Sequence, residues 1–104
     1  MFLASLTEQG MKGVAKDGGT SRQKAIGELI KSLGGQMESF RYAFGDFDVV
    51  AVAELPTHAA AAAASLMNQA AGLSKIRTIV LMEAADMDQA SALAGKAVYR
   101  KPSG

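Results

Sequence analysis

At 104 residues, with no cysteine, one histidine and a net charge of +1, the chain is sized for a single domain, and disulfides, thiolate metal centres and a cysteine nucleophile are excluded. Eleven basic and ten acidic residues are interspersed along it, leaving no one-signed patch for nucleic acid or anionic lipid. The longest apolar run, the alanines at 59–64, is far short of the roughly 20 residues a membrane-spanning helix needs. Residues 1–6 lack the basic start of a signal peptide, so the expected location is cytoplasmic.

In chain order, Phe2–Leu6 is a short apolar run without helical spacing and predicts a strand. Thr7-Glu8-Gln9 reads as the cap and first turn of a short or irregular helix with Met11, Val14 and Ala15 on its apolar side. Lys16-Asp17-Gly18-Gly19 predicts a turn. Thr20-Ser21-Arg22-Gln23 then predicts a capping box opening a helix whose stripe is Ile26, Leu29, Ile30 and Leu33, ended by a left-handed Gly34. Residues 13–20 have phosphate-loop spacing, but Gly19 stands where the phosphate-reaching lysine belongs and no strand leads into them, so they read as a capped turn, the lesser alternative being an anion at the start of the helix helped by Lys16 or Arg22.

The chain is organised around residues 36–54, read as two strands joined by a two-residue type II′ turn at Phe44-Gly45-Asp46-Phe47. That turn pairs Phe44 with Phe47, Tyr42 with Val49, Phe40 with Ala51 and Glu38 with Ala53 on one nearly apolar face. The other face carries Met37, Ser39, Arg41 and Ala43 against Glu54, Val52, Val50 and Asp48. Residues 49–53 are apolar without a break, which predicts a strand covered on both faces. After Pro56, Thr57 caps a helix from about His58 to Ala71, almost all alanine and stopped by Gly72. Residues 74–83 predict the fourth strand, with Ile76, Thr78, Val80 and Met82 on one face. A last helix starts at Asp86-Met87-Asp88-Gln89, with Met87, Ala90, Leu93, Ala94 and Ala97 on one side. The division expected is one domain at 1–97 and a C-terminal arm at 98–104.

The order is βαββαβ plus extras, which predicts an α+β, ferredoxin-like fold: a four-stranded antiparallel sheet, helices on one face, a C-terminal helix and an arm. The uncovered face, holding Val50 and Val52, would be a large apolar patch on a monomer. A two-fold homodimer, sheet against sheet, is its expected cover. Gly45-Asp46-Phe47-Asp48 followed by Val49 and Val50 resembles the glycine, any residue, aromatic, aspartate signature of the GYD-domain family, with Phe47 in place of the usual tyrosine. Residues 6–10, 32–35, 76–78, Tyr99-Arg100 and Pro102 extend the similarity. The resemblance implies the same dimeric ferredoxin-like fold and, the family being mostly without assigned function, no definite activity.

Arg41 and Asp48 lie diagonally across the hairpin on its mixed face. They read as a structural ion pair or, with Ser39, Arg77 and Tyr42, as a site for a small polar or anionic ligand. Tyr42, Phe40, Phe44 and Phe47 also read as core or dimer contacts. His58, one residue past a helix cap, has no orienting partner or fellow ligand and reads as a surface residue. No catalytic acid, base or nucleophile, no metal site and no cofactor site is evident. The expected function is a homo-oligomeric domain that binds a small molecule or serves in assembly, like the similar hairpin of amino-acid-sensing domains in leucine-responsive regulators. The alternative is a small cofactor-independent enzyme, monooxygenase- or isomerase-like, with a pocket between sheet and helices.

Overall fold

A computed structural model describes residues 1–102. Its elements are β1 (Phe2–Leu6), α1 (Glu8–Asp17), α2 (Gly19–Ser32), β2 (Gln36–Tyr42), β3 (Val49–Glu54), α3 (His58–Ala70), β4 (Ser74–Thr78) and α4 (Ala84–Lys96). The four strands form one antiparallel sheet in the order β2-β3-β1-β4. The predicted α+β class and strand count are therefore found.

Local chemistry sets the helix starts. Thr7 caps α1: its hydroxyl oxygen accepts from the Gly10 N–H at 3.1 Å and its O–H donates to the Gly72 carbonyl at 2.7 Å. This joins α1 to the turn before β4, and Gly10 lies so close to that turn that a Cβ would overlap the Leu73 carbonyl. Thr57 caps α3 in the same way, accepting from the Ala60 N–H at 3.1 Å. The capping box expected at Thr20 does not form. Gly18, at φ 84°, turns the corner by itself and caps α2 without a side chain, so Thr20 already lies inside the helix.

The hairpin keeps the expected register near its loop, Tyr42 opposite Val49, Arg41 opposite Val50, Phe40 opposite Ala51 and Ser39 opposite Val52. Two details differ. A bulge between Met37 and Ser39 inserts Glu38, which leaves Ala53 opposite Met37 and lets the Met37 side chain reach α2 at Gly27. The tight two-residue turn is replaced by a wider loop, closed by the Ala43 N–H donating to the Asp48 carbonyl at 2.9 Å. Gly45 has φ 152°, away from the turn value, and Phe44 is fully exposed rather than paired with Phe47.

Phe2, Ala4 and Leu6 of β1, Phe40 of β2, Val49 and Ala51 of β3 and Ile76 of β4 face α2 and α3, and this layer is the core. It is thin: the buried apolar residues are Ala4, Ile30, Val49, Ala51 and Ala64. On the opposite face one register row runs Arg41, Val50, Leu3, Arg77 across all four strands. Among the described residues no helix packs on it. Val50 and Val52 are half-buried, so the expected cover on both faces of β3 is present on one only.

β4 ends at Thr78, five residues before the expected end, where its pairing with β1 stops at Phe2. The Met1 amino group donates to the Ile79 carbonyl at 2.6 Å and the Ile79 N–H to the Met1 carbonyl at 2.7 Å. Past that point the chain leaves the sheet. α4 starts two residues earlier than expected, with Glu83 and Asp86 exchanging side-chain caps, the Glu83 N–H donating to Asp86 at 3.2 Å. Every residue of α4 is exposed, Met87 and Leu93 included. Residues 98–102 continue exposed and irregular, and the last two residues of the expected arm, Ser103 and Gly104, lie outside the described residues.

Candidate ligand-binding cavity

The alanine-rich α3 approaches the sheet closely but fills little of the space beneath it. A cavity of about 60 Å³ results, walled by the inner face of the sheet, by Ile26 and Ile30 of α2 and by Ala64 and Leu73. By the same measure a water molecule needs about 10–15 Å³, so a handful of non-hydrogen atoms fits. The lining is overwhelmingly apolar. Its polar members are Arg22, Asn68 and Ser74.

Arg22 and Asn68 bridge the two helices. A guanidinium N–H of Arg22 donates to Asn68 Oδ1 at 3.4 Å, and the Asn68 amide donates to the Ala64 carbonyl at 3.2 Å, which fixes its orientation. The long first bond uses one of five guanidinium donors and leaves the others for a ligand. Tyr42 closes the neighbouring corner: its O–H donates to the Gly19 carbonyl at 3.0 Å, and its ring stands edge-on to Phe40 at 5.4 Å. Gly19 is required there, since a Cβ would come within 2.8 Å of that ring. Burial raises the Tyr42 phenol above its ordinary pKa, and the positive charge of Arg22 partly opposes the rise.

The residues singled out in the sequence do not converge. Ser39, Arg41 and Arg77 lie on the open face, and Tyr42 lies on the helix-covered one. Arg41 and Arg77 stand at opposite ends of a four-strand row, roughly 14 Å apart at the ordinary strand spacing. Arg41 does not pair with Asp48, and among the described residues the one ion pair joins Lys12 to Glu8 at 3.2 Å. Asp48 is engaged by backbone instead. Its N–H donates to the Ala4 carbonyl at 2.9 Å, and its carboxylate accepts from the Leu6 N–H at 2.8 Å.

That carboxylate extends the β1–β3 ladder beyond the point where β3 turns into the loop, so Asp48 replaces a strand residue that is not there. The rest of the motif lies in the loop: Gly45 and Asp46 are exposed, and Phe47 lies under the Arg77 guanidinium at 5.9 Å. The GYD domain family model matches residues 1–91 of this chain. The chain belongs to the GYD domain family. No curated protein and no solved structure matches it.

In this GYD domain the sequence offers Arg22 only as a helper for an anion at the start of its helix, and gives no reason to single out Asn68. The available signal was polar side chains on the inner sides of two helices, Asn68 one turn after Ala64 in an otherwise small and apolar segment. His58 is exposed in the first turn of α3. Among the described residues no three His, Asp or Glu side chains gather as metal ligands, and no helix is long and apolar enough to cross a membrane.

Proposed function

We propose that this GYD domain is a homo-oligomeric binding module of ferredoxin-like arrangement that holds a small, mostly apolar molecule with a hydrogen-bond-accepting or anionic end. The observation that carries the reading is the apolar cavity with Arg22 and Asn68 in its wall. Such a composition, apolar walls with few directed polar groups, is usual for ligand sites. The lining holds no carboxylate, histidine or cysteine to act as a base or nucleophile, its charged member being Arg22, and this favours binding over catalysis. The strand order β2-β3-β1-β4 with α2 and α3 on one face supports the ferredoxin-like arrangement. The uncovered face with Leu3, Val50 and Val52 supports pairing of two sheets, face to face, in a dimer.

Native mass spectrometry and thermal melts with added hexanoate, compared with hexanol, test the reading. The expected result is a dimer or an even multiple, a higher melting temperature with hexanoate than with hexanol, loss of that preference in Arg22→Gln and loss of both responses in Ala64→Leu. A monomer refutes the assembly. Binding unchanged in Ala64→Leu refutes the site.

A further inference from the structure

The segment after β4 borders the ends of β2, β3 and α3 at residues 79–83 and is otherwise exposed. The accessible surface is 7781 Å², against about 5,500 Å² for a compact monomer of this mass. The radius of gyration is 17.6 Å, where a compact chain of this length gives about 13 Å. The surplus lies mainly in residues 79–102, which are exposed throughout and carry most of the exposed large apolar side chains. The surplus area is comparable with or greater than the roughly 800 Å² per partner that a standard interface buries.

After Ile79, which exchanges hydrogen bonds with Met1, the segment has no regular structure and is unpaired over residues 80–82 among the described residues. Val80, Leu81 and Met82 are 63%, 56% and 60% exposed, and among the described residues none of their backbone groups hydrogen-bonds to another. An apolar segment with unpaired backbone groups is a template for pairing with another strand. The molecule also presents a matching edge. β2 is the end strand of the sheet, and its outer side has no partner among the described residues. Beyond its bulge, β2 is regular over residues 39–42, about the length of residues 79–82. Charge agrees as well: Glu83, Asp86 and Asp88 follow the apolar stretch, and β2 carries Arg41 on the open face.

We infer that residues 79–102 are an arm exchanged between two copies of the chain, residues 80–82 adding as a strand to the outer edge of β2 in the second copy and α4 closing the rim beside Arg41. The inference rests on the homo-oligomer proposed above and adds the element that locks it. It also gives the bulge at Glu38 a use, since a bulge confines regular pairing to the loop-proximal half of the edge.

The test uses the full-length chain. Val80→Asp combined with Leu81→Asp changes side chains that are more than half exposed, so circular dichroism should be unchanged while sedimentation shows at least a tenfold loss of dimer affinity. Because the chain has no cysteine, Leu81→Cys chains mixed with Ser39→Cys or Arg41→Cys chains report the contact directly. A disulfide between different chains in one of these mixtures, absent with Glu28→Cys on α2, is the expected result. A parent dimer that the double variant leaves intact, with no mixed disulfide, overturns the exchange and leaves the assembly standing. A monomeric parent overturns both. A disulfide confined within one doubly substituted chain shows that the arm folds back on its own sheet and also overturns the exchange.

Discussion

Asp48→Ala separates a structural role for the signature aspartate from a ligand-binding one. The carboxylate accepts the Leu6 N–H at 2.8 Å in a part-buried position, just beyond the last β1–β3 residue pair, Ala4 with Val49. Removing it leaves the amide without its acceptor. A hydrogen bond to a charged group contributes about 1.5–3 kcal/mol and a buried orphan donor costs about 1–3 kcal/mol. Partial exposure lets water reach the amide, so the lower half of that range, about 1–2 kcal/mol, applies here. For a domain of this length that corresponds to a fall in melting temperature of roughly 4–12 °C. Differential scanning calorimetry at fixed protein concentration reads it, the concentration being held because association itself stabilises. Asp48→Asn keeps an acceptor oxygen and should recover at least half of the loss. An alanine variant within about 2 °C of the parent, or an asparagine variant no better than alanine, refutes the ladder-extension argument.

Glycine substitutions on α1 should split by position. Gly10→Ala drives a methyl into the Leu73 carbonyl and should cost about 2–3 kcal/mol or more, whereas Gly13→Ala, with open space around it, should gain up to about 1 kcal/mol. Urea melts of both variants check the sign of each. Ile30→Ala, at one of the two most buried apolar positions, should cost about 2–5 kcal/mol by enlarging the cavity. It should also broaden the range of apolar probes that raise the melting temperature. Tyr42 gives a pH signature. Its folded-state pKa is raised above 10.0 by burial, so the neutral phenol is favoured on folding. That stability is complete below about pH 10 and declines as pH rises from there through the folded-state value. Tyr42→Phe should flatten the decline seen by denaturant unfolding between pH 9 and 11, and an equal decline in both proteins refutes the assignment.

What the sequence made legible is what local chemistry decides. The caps at Thr7 and Thr57, the left-handed glycines Gly34 and Gly72, and the register from Ser39 to Tyr42 each follow from nearby residues. The misses are tertiary. Met37 suits either face of a strand, so alternation gave no sign that Glu38 is bulged out. Ile76, Thr78, Val80 and Met82 alternate as a strand should, but a strand lasts only as long as its pairing, and the β1–β4 pairing stops at Phe2 with Thr78. Arg41 and Asp48 are oppositely charged and diagonal on the hairpin, yet Asp48 has a competing donor, the Leu6 amide, that belongs to a strand far away in sequence. Arg22 and Asn68 meet only because α2 and α3 lie side by side on the sheet.

The small residues explain the cavity and the thin core together, and they bear on assembly. Burying a leucine or isoleucine contributes about 1.5–3 kcal/mol, and each methylene about 0.8 kcal/mol. A layer of Ala4, Ala51 and Ala64 therefore holds sheet and helices with little apolar area per residue. Most of the exposed large apolar side chains sit instead in residues 79–99, beyond the sheet. A chain that leaves its core underfilled and its apolar payload exposed gains stability from whatever covers that payload or fills that space, by an amount set by the occupant's concentration relative to its dissociation constant. Under the proposed function, folding, ligand occupancy and association would be coupled in this GYD domain through the same shortage of bulk at the sheet–helix contact.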